Sequence, residues 1–308
     1  MYSLRQARIA LSRPKLVFRE FNKWYHTLRQ GEYNERGVDV FAEDWDTLVI
    51  LDAFRYDVFE EKYREHGLPG RLESRISRGA ATREFLRANV TGRELHDTVY
   101  VTASPHYYKN EEEERGEFHD VVHVWKEEGV DEARSQPPDV MTEYALRAAD
   151  EYPNKRLLLH YVQPHCPFLG ETGRENFDDI RWVNHVGFGE TTGDDVSHES
   201  VWTAYRENAD VVLPHARELL ETLDGKTVVT ADHGQMLGER QRPIPLKDYG
   251  HPEGIYVDTL VEVPWLVHER GQRREIVPEP PVERRADATD GEVERVAEET
   301  LQDLGYLG

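Results

Sequence analysis

Apolar residues in this chain take two forms: short unbroken runs, and stretches where they return every three or four positions. Residues 47–51, Thr-Leu-Val-Ile-Leu, are the clearest run. An unbroken apolar run, rather than an alternating one, is what a central parallel strand needs when both of its faces are covered. Runs of the same kind fall at 98–101, 121–125, 156–162, 227–230 and 263–267. Helical periodicity separates several of them, most plainly from about residue 199 to 223. There Val201, Trp202, Tyr205, Ala209, Val212, Leu213, Ala216, Leu219 and Leu220 share one face. Alternating strands and helices predict an α/β fold: a doubly wound, mostly parallel sheet sandwiched by helices, with its chemistry at the carboxyl ends of the strands.

The two ends of the chain depart from this pattern. Through Arg29 there are seven Lys or Arg and a single acid, Glu20, and Leu16, Val17, Phe18, Phe21, Trp24, Tyr25 and Leu28 recur near the helical period. Residues 1–40 therefore read as a basic amphipathic segment. It either lies on an anionic membrane through residues 1–30 or packs on its own domain or a partner subunit. Residues 41–270 hold the strand-and-helix pattern of a catalytic domain. Residues 271–308 read as a charged, Pro-rich linker or strap followed by a short helix carrying Val293, Val296, Leu301 and Leu304. The acidic run Glu111–Glu114 reads as a solvated loop.

Charge narrows the function classes. Sixty acidic residues against 38 basic give a net charge of -22, which sets most of the surface against nucleic acid as a partner. Abundant acids, few Lys beside Arg and almost no Cys predict a salt-adapted protein of haloarchaeal type. Cys166 is alone, so no disulfide forms within the chain. No run is long enough to span a membrane and no apolar leader opens the sequence. The expected location is cytoplasmic, peripheral to the membrane if residues 1–30 bind it.

Candidate chemistry gathers just past the strands. Asp52 follows the first run, His165 the fourth and Asp232-His233 the fifth, with His251 in the loop beyond. Two carboxylates and three imidazoles at one rim, with a hydroxyl, form a donor set suited to Zn²⁺, Mn²⁺, Mg²⁺ or Ca²⁺. Singly, each has an ordinary explanation as a helix cap or a hydrogen-bonded surface residue. Together they point to a metal.

The segment from Thr230 to Glu239, T-A-D-H-G-Q-M-L-G-E, resembles the T/S-D-H-G-x-x-x-G-E motif of sulfatases and phosphoethanolamine transferases. D-A-F-R-Y-D, from Asp52 to Asp57, resembles the D-G-F-R-x-D segment of nucleotide pyrophosphatase/phosphodiesterases. H-Y-V-Q-P-H-C-P, from His160 to Pro167, is similar to the "H…H-x-P" stretch of sulfatases, and the closing L-G-Y-L-G resembles a sulfatase ending. The chain is thus similar, in order from Asp46 onward, to the alkaline phosphatase superfamily. That resemblance implies a metal held by Asp52, Asp232 and His233. It also implies that His165 and His251 contact substrate or hold a second metal, with Arg55 and Arg83 as clamps for the anion.

Sulfatases place their nucleophile ten residues before a Thr-Gly pair, at the start of a helix whose free amides and dipole favour an anion. In the matching stretch, Thr82 to Gly92, Thr82 takes that position. Ser77 is the competing hydroxyl, and a plain helix-capping role is the other reading of Thr82. Thr82 cannot become formylglycine, and the Pro and Arg of the sulfatase signature do not follow it. The resemblance therefore implies phosphorus chemistry: a hydrolase or transferase acting on a small-molecule, glycan or lipid-linked phosphate ester, with one or two metals. The alternatives are a sulfatase acting on sulfate esters and a non-catalytic binding protein on the same fold.

Overall fold

The structure is a computed structural model, and it describes residues 14–31, 33–109, 116–126, 136–177, 197–283, 295–298 and 300–301. Residues 1–13, the acidic run Glu111–Glu114, Val293 and the Leu304–Gly308 ending lie outside the described residues.

The elements follow one another as α1 (Pro14–Gln30), β1 (Thr47–Leu51), α2 (Tyr56–His66), β2 (Arg71–Ile76), α3 (Thr82–Val90), β3 (Glu94–Thr102), α4 (His106–Lys109), β4 (Glu117–His123), α5 (Pro138–Glu151), β5 (Arg156–Tyr161), α6 (Glu171–Phe177), α7 (His198–Thr222), β6 (Gly225–Thr230), β7 (Met236–Arg240), β8 (Lys247–Gly250), α8 (Asp258–Val261) and β9 (Glu262–Arg270). Seven strands make one sheet in the order β2-β9-β6-β1-β5-β3-β4, while β7 and β8 pair as a separate hairpin. Every pairing from β6 across to β4 is parallel, and β9 alone runs antiparallel to both of its neighbours. This is the mostly parallel α/β sheet that the sequence predicts. Each apolar run became a strand. The run at 121–125 ends sooner, because residues 124–126 turn into a 3-10 helix.

Alternation within the strands divides the core into two layers. Val49, Leu51, Val99, Val101, Leu157, Leu159 and Val229 face α2, α5 and α7 through Phe59, Met141, Ala145 and Leu213. Leu48, Ile50, Tyr100, Leu158 and Val228 face the other way, toward Phe85, Leu86 and Val90 of α3. Because side chains along a strand alternate with period two, residues 50, 52, 158, 160, 228, 230 and 232 lie on the α3 side. The β1 register pairs Ile50 with both His160 and Thr230. Asp52 and Asp232, each two residues further on, therefore emerge level with one another on adjacent strands about 4.8 Å apart.

Residues 271–283 form a strap with no regular structure. It hydrogen-bonds across the sheet edge from Val277 N to Asn154 O, Glu279 N to His96 O and Val282 N to His119 O. Among the described residues no helix is long and apolar enough to cross a membrane.

Candidate active site

The chain leaves β1 through a strained residue. Ala53 sits at φ 60°, a left-handed conformation that is uncommon for a residue with a Cβ. Its neighbours hold it there. The Ala53 amide donates to Asp232 Oδ1 at 3.1 Å, and Tyr205 of α7 donates its hydroxyl to the Ala53 carbonyl at 2.7 Å while accepting the Arg55 amide at 3.0 Å. Three residues along α7, Asn208 donates to the carbonyls of Pro164 and His165 and accepts the Leu169 amide. One helix thus fixes both the loop after β1 and the loop after β5. The long α7 was legible from periodicity; these two polar anchors within its buried face were not.

Around Asp52 the side chains converge. Thr82 Oγ1 lies 3.5 Å from each oxygen of Asp52 and 3.2 Å from His233 Nε2. His233 Nε2 in turn lies 3.4 Å from Asp52 Oδ1 and 3.4 Å from Asp232 Oδ2. All four residues are fully buried. Four ligand atoms bound at about 2.0–2.1 Å in a tetrahedron stand roughly 3.3–3.4 Å from one another, so these spacings match a single four-coordinate ion such as zinc.

Asp232 carries a second sign of a metal. Its Oδ1 accepts the amides of Ala53 and His233, whereas its buried Oδ2 has no hydrogen-bond partner. An unsatisfied carboxylate oxygen in the interior is costly unless a cation is nearby. Burial is the largest influence on this carboxyl and pushes its pKa up. The attraction of His233 and His160, helped by the Ala53 amide and the Thr82 hydroxyl, carries it below its ordinary value.

One member of the cluster was missed from the sequence. His160, inside β5, offers Nε2 at 3.9 Å from Asp232 Oδ2. With Asp52 and Asp232 it forms a fully buried group whose ligand atoms all lie within 4.8 Å of one another. Its Nε2 is likewise without a hydrogen-bond partner, while Nδ1 meets the Tyr100 hydroxyl at 2.8 Å. Burial holds the imidazole neutral, with its pKa lowered to about 4, the form that binds metals. The available signal was parity: a histidine in an apolar strand, on the same face as Asp52 and Asp232.

His165 and His251 stand beside this cluster. Their Nε2 atoms face one another at 3.0 Å, and the His251 ring lies 4.5 Å from the His233 ring, centroid to centroid. His165 Nδ1 donates to the Cys166 carbonyl at 2.7 Å and its amide to the Asp52 carbonyl at 3.1 Å. Burial lowers the His165 pKa to about 4 and that of His251 well below its usual value.

The helix start and the arginines differ from expectation. Ala81, not Thr82, occupies the N-cap position of α3, and Thr82 is the first helical residue. The capping alternative for Thr82 is thereby corrected. The Glu84 carboxylate instead accepts the Ala80 amide at 2.7 Å and the Tyr256 hydroxyl, and burial raises its pKa. Gly79 is required at this turn, since a Cβ there would run into the Phe85 amide. Ser77 is committed elsewhere: its hydroxyl donates to the Asp232 carbonyl and accepts the Gly79 amide.

Arg55 is engaged bidentately by Asp57, pairs with Glu239, donates to the Gln235 carbonyl and lies 4.6 Å over the Trp202 ring. It ties the segment after β1 to the closing Glu of the Asp232 motif and has little capacity left for an anion. Arg83 sits on the exposed side of α3, and the structure does not bring it into the buried cluster.

No protein-family model matches the chain, and no curated protein resembles it in sequence. Solved structures do resemble it. The soluble domain of lipooligosaccharide phosphoethanolamine transferase A from Neisseria meningitidis is 11% identical, with a TM-score of 0.45 over 72% of this chain and 75% of that one. The C-terminal periplasmic domain of EcEptC from Escherichia coli, in complex with Zn, is 14% identical, with a TM-score of 0.44 over 71% and 72%. Phosphonate monoester hydrolase SpPMH from Silicibacter pomeroyi is 13% identical, with a TM-score of 0.44 over 84% and 72%. These neighbours are members of the alkaline phosphatase superfamily.

Proposed function

We propose that this chain is a metal-dependent hydrolase or transferase of the alkaline phosphatase superfamily type, acting on phosphate esters with Thr82 as nucleophile. The observation that carries the reading is the position of Thr82 Oγ1 at the amino end of α3, 3.2–3.5 Å from His233 Nε2 and both Asp52 oxygens. Asp52, Asp232 and His233 would hold the metal, with His160 completing the set on the Asp232 side. A divalent cation there supplies positive charge that favours ionised Thr82 and offsets the charge of the ester oxygens.

This chain's own groups account for the remaining steps. The Thr82 hydroxyl proton has the Asp52 carboxylate 3.5 Å away as an acceptor. Thr82 Oγ then forms a bond to phosphorus as the bond from phosphorus to the departing alcohol oxygen breaks. His165 and His251 share one proton between facing Nε2 atoms, and that N–H is the donor at hand for the departing oxygen. Water, or an acceptor hydroxyl in a transfer, next attacks phosphorus and releases Thr82. The free amides of the first turn of α3 point at the same place and favour a bound anion. Sulfate esters are the lesser reading, because a threonine cannot supply the aldehyde hydrate that sulfatases use.

Acid quenching during turnover of an aryl phosphate mono- or diester, followed by mass spectrometry, tests this. Phosphate on Thr82 is expected, with no label and no turnover in Thr82→Ala. Label on a different residue, or undiminished turnover by Thr82→Ala, would refute it. Parallel assays with an aryl sulfate separate the two ester classes.

A further inference from the structure

Helix α1 is docked the wrong way round for a helix of a soluble domain. Its polar residues face the protein. Arg19 grips Asp248 of β8 through contacts of 3.0 and 2.7 Å, Asn22 exchanges hydrogen bonds with Gln241 and Ile244, and His26 donates to the Arg242 carbonyl at 2.9 Å. Asn22 and His26 are buried by this docking. The opposite side holds Val17 (47% exposed), Phe18 (45%), Phe21 (44%), Trp24 (57%) and Leu28 (65%). Among the described residues, the one other large hydrophobic as exposed as these is Val282. Apolar exposure on this protein is therefore a single helical face and not a scatter over the surface.

Charge says what covers that face. Lys15, Lys23 and Arg29 are exposed on α1 and Glu20 is its one acid, in a chain of net charge -22. Two copies meeting through this face would bring those cations against one another. An anionic lipid surface takes the same cations at its headgroups while accepting the apolar side chains, and ring-bearing residues such as Phe18, Phe21 and Trp24 suit the boundary between headgroup and acyl chain. Repulsion from the acidic remainder of the protein fades beyond about 8 Å at physiological salt. We infer that α1 is a membrane-surface helix, which lays Val17, Phe18, Phe21, Trp24 and Leu28 into an anionic bilayer while its polar side stays locked to the β7–β8 hairpin. The inference goes beyond the Thr82 chemistry and does not depend on it.

Flotation of the full-length protein with vesicles of phosphatidylcholine, with and without phosphatidylglycerol, tests it. Wild type should float with the phosphatidylglycerol vesicles and be released as salt is raised. Phe21→Ser/Trp24→Ser/Leu28→Ser, which leaves Arg19, Asn22 and His26 in place, should partition at least about tenfold more weakly. Lys15→Glu/Lys23→Glu/Arg29→Glu should lose the preference for anionic over neutral vesicles. Circular dichroism and hydrolysis of a soluble ester should be unchanged in both. Failure of wild type to float, or equal flotation of the serine variant, would overturn the inference. So would gel filtration in which wild type is a dimer and the serine variant a monomer, since a second copy would then cover the face. No readout of vesicle binding involves substrate, so failure here is distinct from failure of the Thr82 reading.

Discussion

Tyr100→Phe separates a metal-binding His160 from a merely buried one. The Tyr100 hydroxyl lies 2.8 Å from His160 Nδ1. Burial raises the pKa of this phenol, so it stays protonated and can accept as well as donate. Ligation through Nε2 requires the imidazole proton on Nδ1, where the Tyr100 oxygen accepts it and fixes the ring. Removing that oxygen changes side-chain volume little but leaves a buried N–H unpaired, a cost of about 1–3 kcal/mol to the metal-free protein. If His160 is a ligand, metal affinity should also fall by roughly 10–100-fold, the usual effect of deleting an outer partner of a ligating histidine. Tyr161→Phe is the matched control: it too deletes a buried hydroxyl, bonded to Thr142 at 2.9 Å, but on the opposite face of the sheet. Denaturant unfolding of the metal-free proteins measures the first effect, and competition with a zinc chelator measures the second. Equal stability losses in both variants with unchanged metal affinity in Tyr100→Phe would refute His160 as a ligand.

The other expectations are shorter. Asp232→Ala and His233→Ala should each lose bound metal and turnover, as read by metal analysis of the purified proteins; full metal content in both would sink the ligand assignment. Thr82→Ala should lower turnover by several orders of magnitude, on the scale of other nucleophile deletions, while Thr82→Ser keeps part of it. Ser77→Ala should destabilise by about 1–3 kcal/mol without removing phosphate labelling, because its hydroxyl serves the Asp232 carbonyl. Burial holds His160 and His165 neutral at about 4 and His106 at about 3, against about 6.5 in an unfolded chain. Below pH 6.5 the unfolded state therefore takes up protons that the folded state refuses. The metal-free protein should lose stability from about pH 6.5 down to about 4, and this effect should vanish above that window. Unfolding free energy against pH should show a shallower slope for His165→Gln, and an unchanged slope would refute this account.

What was legible in the sequence was whatever is buried on both sides. β1, β3, β5, β6 and β9 announce themselves as continuous apolar runs because helices or coil cover each face. β2, Arg-Leu-Glu-Ser-Arg-Ile, lies at the sheet edge with charged residues along it. The hairpin strands Met-Leu-Gly-Glu-Arg and Lys-Asp-Tyr-Gly are short and stand outside the sheet. Neither kind carries a pattern that differs from a polar loop. In the site, residues following strands were readable because strand ends mark the rim. His160 lies within a strand, where a lone imidazole among leucines reads as core. Its neighbours on the same face become visible only when the register sets Ile50 against His160 and Thr230. Arg55 shows the opposite error: its motif is present, but the partners Asp57 and Glu239, the latter far along the chain, absorb its charge.

The reversed direction of β9 has a consequence for how this site can change. β6 delivers the chain to the rim at Thr230, and β9 departs from the same rim at Glu262. A parallel strand would have forced the chain to travel the length of the sheet before re-entering it. Here the whole excursion between those residues stays above the strand ends, and it carries Asp232, His233, the β7–β8 hairpin and His251. Its start is pinned to its end by the Gly234 amide on the Leu260 carbonyl and by the Ser77 amide on the Val261 carbonyl. A Cβ at Gly234 would strike the Thr259 carbonyl, so that clasp fixes a glycine. Residues inserted or deleted within the hairpin would reshape the ground around the nucleophile without shifting any strand by a single residue. New substrates could be accommodated there while the metal-bearing frame stayed in register.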